Sequence, residues 1–112
     1  MKKSGFAITK RAGFHMRFDN GINVSVQFGF GHYCENRNRE NQKVMGDISS
    51  STAEITAWDK TGKWITSAIA KKARLDDTGD GSVIGWQSPH SVARFLAVAE
   101  TWLCATSGTS VE

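Results

Sequence analysis

The chain has 112 residues, 39% hydrophobic and 22% charged, with a formal net charge of +3. That composition excludes a disordered or low-complexity protein, and the length suits one domain, 1–112, with one modest core. No run of residues reaches the apolar length of a membrane span, and the first residues lack the apolar centre of a signal peptide, so a cytoplasmic protein with no membrane partner is expected.

Residues 1–43 hold eight Lys/Arg against three Asp/Glu, a balance of +5, while the remainder holds six against eight, −2. A basic first half favours an anionic partner, but a bias this small is not a nucleic-acid signature. Cys34 and Cys104 form no CxxC pair. Free thiols are expected in a cytoplasmic chain, and a zinc site lacks ligands.

Residues 1–12 read as a basic N-terminal segment, with Phe6 and Ile8 alternating weakly as in a frayed or edge strand. An α+β core is expected over 13–104. Phe14, Met16 and Phe18 alternate with polar residues, and after Asp19-Asn20-Gly21 the alternation resumes at Ile22, Val24, Val26, Phe28 and Phe30. A two-residue Asn20-Gly21 turn would mix polar and apolar side chains on each face. A three-residue loop pairs Phe18 with Ile22, Met16 with Val24 and Phe14 with Val26, and places Gly21 where a left-handed residue is needed.

Glu40 to Ser51 is a polar connection. Ala53, Ile55 and Ala57 then alternate with Glu54, Thr56 and Trp58 as a further strand. A Lys60-Thr61-Gly62 loop repeats the first device and pairs Trp58 with Trp64 and Ala57 with Ile65, so a second hairpin is expected. The stretch from Ala70 to Gly81 is a charged excursion. Val83 to Trp86 is a short strand, and Ser88-Pro89 announces a helix with Ser88 as N-cap. Val92, Phe95, Leu96, Ala99, Trp102 and Leu103 recur at helical spacing. The fold class expected is α+β, an antiparallel four- to five-stranded sheet with this C-terminal amphipathic helix on one face. Residues 105–112 read as a flexible tail.

Catalytic and metal chemistry find little support. His32 and Cys34 lie two apart on a strand end, yet no orienting group or oxyanion donor accompanies them, and a structural cysteine is the preferred reading. Asp76 to Gly81 superficially resembles a calcium loop, but Thr78 and Gln87 stand where ligands are required, so a solvated turn is preferred. The glycines around Phe30 open no helix and so build no phosphate loop. The expectation is a non-enzyme with no metal and no cofactor. Trp86 and Trp102 are expected in the core. Trp58 and Trp64 share the face away from the helix, where they either pack on the charged excursion or join copies into a homo-oligomer.

The segment from Gly29 to Arg39 is the one place where aromatics, amides and two arginines meet beside strand-breaking glycines. Phe30, Tyr33, Asn36, Arg37 and Arg39 could stack on and hydrogen-bond a nucleotide, or could be an ordinary polar loop.

The order of motifs FDNGINVSVQFGFGHYCENR (18–37), TAEITAWDKTGKW (52–64) and DGSVIGWQSPHSVARFL (80–96) resembles that of small counter-defence proteins encoded by phages. The layout is similar to anti-Thoeris sponge proteins, α+β oligomers that sequester cyclic ADP-ribose-type signals. The resemblance implies sequestration, without catalysis, of a cyclic ADP-ribose-type or cyclic oligonucleotide signal in the host cytoplasm. The same five residues, Phe30, Tyr33, Asn36, Arg37 and Arg39, are the ones suited to hold it. The alternatives are inhibition of a host defence complex by protein–protein contact, as in an anti-CRISPR, and direct nucleic-acid binding.

Overall fold

Five strands, β1 (Gly5–Thr9), β2 (Gly13–Arg17), β3 (Asn23–Gln27), β4 (Ala53–Trp58) and β5 (Ile84–Gln87), form one antiparallel sheet whose spatial order is its chain order. Among the described residues two helices accompany it, α1 (Thr66–Lys72) and α2 (Pro89–Glu100). This is the expected α+β class, seen in a computed structural model that describes residues 3–10, 12–39, 48–75 and 82–103. The connection over 40–47, the charged and calcium-like segment over 76–81, and Cys104 with the tail over 105–112 lie outside the described residues.

The β2–β3 hairpin has the register that its apolar alternation requires, with Phe14 opposite Val26 and Met16 opposite Val24. The Phe18 N–H donates to the Ile22 carbonyl at 2.9 Å, closing the three-residue loop. Gly21 sits at φ +86, a region from which a Cβ is largely excluded. The second turn repeats this chemistry, with Gly62 at φ +92 and the Asp59 N–H donating to the Lys63 carbonyl. Asp59 also accepts from the Thr61 hydroxyl and from the backbone N–H groups of Thr61 and Lys63. These bonds hold its carboxyl below the usual carboxylate range, the Thr61 hydroxyl contributing most.

The strand expected to return from that turn is short-lived. Trp64 bridges Trp58 and the Ile65 N–H donates to the Ala57 carbonyl at 2.9 Å, after which the chain becomes α1. The reason lies in the apolar spacing. Ile65, Ile69, Ala70 and Ala73 share one helical face, a stronger pattern than the two-residue period carried only through Trp64 and Ile65. Thr66, fully buried, fixes the switch. Its Oγ1 accepts from the Ala57 N–H at 3.0 Å and lies 2.8 Å from the Thr56 hydroxyl.

α2 begins as expected. Ser88 accepts from the Ser91 N–H at 3.2 Å, and Pro89 stands in the first turn, where its missing N–H costs nothing. Phe95 and Ala99 are fully buried against Ile22, Val24, Ile55, Ala57, Ile69 and Ile84, while Val92, Leu96 and Trp102 pack half-buried around them. Leu103, expected on the stripe, lies past the helix end and is 86% exposed. The helices meet β3, β4 and β5 and reach β1 and β2 with no more than a marginal contact. The β1–β2 hairpin therefore projects beyond the helical layer. Phe6 and Ile8, opposite Met16 and Phe14, are accordingly exposed.

Candidate functional site

Side chains alternating with the core set build the second face of the sheet. Thr9, His15, Ser25, Gln27, Glu54, Thr56 and Trp58, bordered by His32 and Trp64, line an open concavity of about 810 Å³. Its lining is largely apolar, with Ala12, Val83 and the two tryptophans contributing, and the polar side chains of its floor are internally satisfied. The Gln27 amide donates to the Thr9 hydroxyl at 2.7 Å and to Ser25 Oγ at 3.0 Å, and the Thr56 hydroxyl donates to the Ser82 carbonyl. Such a network holds the floor rigid.

The two ends of the concavity differ. At one, the His15 ring meets Trp58 edge-on with centroids 5.2 Å apart, and Trp58 lies 6.3 Å from Trp64, whose side chain is half exposed. Burial pushes the His15 imidazole below its ordinary value, because the charged form loses hydration. At the other end Glu54 holds two groups at once: Oε1 lies 3.2 Å from His32 Nδ1, and Oε2 accepts from the Tyr33 N–H at 3.1 Å. Lys10 lies on the rim. Among the described residues no group of three His, Cys, Asp or Glu is placed to share a metal ion.

The five residues singled out in the sequence occupy the loop beyond β3, and none of them lines this concavity. Phe30 and Tyr33 are largely exposed, and the Arg37 guanidinium lies 4.2 Å over the Tyr33 ring while donating to the Gly31 carbonyl. Asn36 is fully buried. Its amide donates to the carbonyls of Phe28 and Ser49, and its Oδ1 accepts from Arg39, which also reaches Glu35. The structure thus joins Tyr33 to Arg37 and Asn36 to Arg39, giving each arginine partners inside its own loop. The Glu35 carboxyl lies below its usual range because it accepts from the Ser51 N–H. Cys34 is fully buried with its thiol toward the Gly29 carbonyl, in keeping with a structural role.

The loop docks against β5. The Trp86 N–H donates to the Tyr33 carbonyl, and a Cβ at Gly85 would meet the Tyr33 Cβ at 2.4 Å. Trp86 itself is 55% exposed, not in the core as expected. Ala53 pairs with Gln87 but Ile55 with Ile84, so β5 carries one extra residue there, and Trp86 takes φ +59. A bulge of this kind re-aims a side chain that simple alternation would point inward.

His15, Gln27, His32 and Glu54 were overlooked as a site because the alternation was read for its apolar members. The signal for His15, Gln27 and Glu54 is the polar set that alternates with the apolar one on the same strands, whereas His32 belongs to the loop after β3. The chain matches no protein-family model, no curated protein and no solved structure.

Proposed function

We propose that this chain is a non-catalytic binding protein for a small nucleotide-type molecule seated on the polar face of the sheet. The observation that carries this reading is the concavity of about 810 Å³, with its rigid polar floor and its tryptophan pair at one end. Sites for small molecules fall in this size range and combine apolar surface with a few fixed polar groups. The half-exposed Trp64 offers a stacking surface, and base–aromatic stacking supplies about 1–3 kcal/mol per base. A floor whose hydrogen bonds are already made needs no ordering when the ligand arrives.

Sequestration of a cyclic ADP-ribose-type or cyclic oligonucleotide signal is the form of this function that the resemblance implies. Such a ligand carries phosphates, and sequestering it at nanomolar concentration takes about 12 kcal/mol. One stacked base and Lys10, offset by Glu54, fall short of that. A second copy closing the groove across Trp58 and Trp64 would add both apolar contact and cations, so the proposal includes a homo-oligomer. Native mass spectrometry of protein purified from cells tests both parts. An oligomer retaining a small ligand is expected. A monomer with no retained ligand, which also fails to bind cyclic dinucleotides or cyclic ADP-ribose isomers in calorimetry, overturns the proposal.

A further inference from the structure

We infer that the free edge of β1 accepts an extended, acidic segment of a partner protein as a sixth strand. The two edges of the sheet are treated differently. The β5 edge is met by the loop after β3, through the bond from Trp86 to Tyr33. Among the described residues β1 pairs with β2 alone, which leaves one row of its backbone N–H and C=O groups facing outward. Natural edges are usually blunted by a charge, a proline or a bulge. β1 contains neither charge nor proline, and its register with β2 is unbroken over all five of its residues. It also projects beyond the helical layer, which leaves Phe6 76% and Ile8 84% exposed on the side of the sheet where Phe14 packs into the core.

Charge selects the occupant. Lys3 and Lys10 stand just outside the two ends of β1, both exposed and without an ion pair among the described residues. A second copy adding antiparallel would bring to the edge the same two lysines, and residues 3–10 hold no carboxylate to answer them. Like charges directly across a strand pair are unfavourable. A strand with carboxylates at both ends turns the same positions into attraction. Main-chain hydrogen bonds then supply affinity, and every second side chain of the added strand packs beside Phe6 and Ile8.

The test uses the full chain and two synthetic peptides, Glu-Glu-Val-Thr-Val-Thr-Val-Glu-Glu and the same sequence with Lys for each Glu. Fluorescence anisotropy should show the acidic peptide binding about tenfold or more tighter than the basic one. Its binding should slow hydrogen exchange of β1 amides. The Lys3→Glu/Lys10→Glu variant should reverse the preference. Phe6→Thr/Ile8→Thr should abolish binding while the melting temperature stays unchanged, since both side chains are exposed. No binding of the acidic peptide, equal binding of the two, or binding without protection of β1 overturns the inference. So does a wild-type dimer that Phe6→Thr/Ile8→Thr converts to monomer, which would make a second copy the occupant. Binding to anionic phospholipid vesicles but not to peptide would assign the edge to a membrane surface instead.

Discussion

The Asn20 side chain donates to the carbonyl of Ala99 at 2.9 Å, joining the first hairpin turn to the end of α2 across 79 positions of sequence. The same amide nitrogen lies within hydrogen-bond distance of the Glu100 and Trp102 carbonyls, while Oδ1 accepts from the Ile22 N–H. The last carbonyls of a helix have no partner within it, and here a turn asparagine supplies one. Asn20 therefore has two roles, one local and one tertiary.

Replacing Asn20 separates these roles. Asn20→Ala should destabilise the protein by about 1 kcal/mol or more, the cost of losing the side-chain donor shared by the Ala99 and Trp102 carbonyls. Asn20→Asp keeps the shape but removes the donor and sets a carboxylate against the negative end of α2, so it should cost at least as much. Urea denaturation midpoints measure both. An Asp variant as stable as the parent would remove α2 capping from the account.

Gly62→Ala and Gly21→Ala probe the two turns. An added Cβ at Gly62 meets nothing within 4 Å, so its cost is that of the left-handed backbone alone, about 1 kcal/mol. At Gly21 the same penalty applies, and the Cβ also comes 3.2 Å from the Lys60 Cβ. Gly21→Ala should therefore be the more destabilising, by chemical denaturation, and two unchanged midpoints would contradict the turn geometry.

These turns were legible in the sequence because register and turn chemistry agree there. Of the two- and three-residue loops, only the three-residue one keeps Phe14, Met16 and Phe18 on the face of Val24 and Val26, and it calls for glycine at Gly21. The Ser88-Pro89 start of α2 was legible for a similar local reason. Helix α1 was missed because the turn before it signals a hairpin, whereas the switch at Thr66 depends on its contacts with Thr56 and Ala57. Trp86 was misplaced because one extra residue in β5 is invisible to alternation. The five loop residues had suitable chemistry for a ligand. Nothing in their spacing indicated that Asn36 would be buried under Phe28 and Ser49, or that Arg39 would turn back onto it.

His15 makes stability depend on pH. Its folded-state pKa lies below the ordinary 6.5 because burial disfavours the imidazolium. Between the two values the unfolded chain binds more protons, so stability rises with pH through that window. The contribution is complete above 6.5 and is lost as the pH falls through the folded value. Denaturation midpoints of the parent should therefore fall more between neutral and mildly acidic pH than those of His15→Gln. Parallel curves for the two proteins would show that His15 is not the group responsible.

The position of the ligand separates the polar face from the loop beyond β3. Trp64 is half exposed and leaves the core untouched, so Trp64→Ala should fold normally. If a base stacks there, its affinity for a nucleotide should fall by about 1–3 kcal/mol. Arg37→Ala/Arg39→Ala should leave that affinity nearly unchanged, because both side chains are engaged within their own loop and neither lines the concavity. Sedimentation of Trp58→Thr/Trp64→Thr should also show a smaller species than the parent if the same face joins two copies. Salt distinguishes the ligand class. A nucleic acid releases counterions on binding and should lose orders of magnitude in affinity between low and moderate salt, whereas a small dianion in a closed groove is screened far less. The decisive outcome concerns the two sets of substitutions. Binding that survives Trp64→Ala but is lost in Arg37→Ala/Arg39→Ala would move the site to the loop, where Tyr33 and Arg37 already stack.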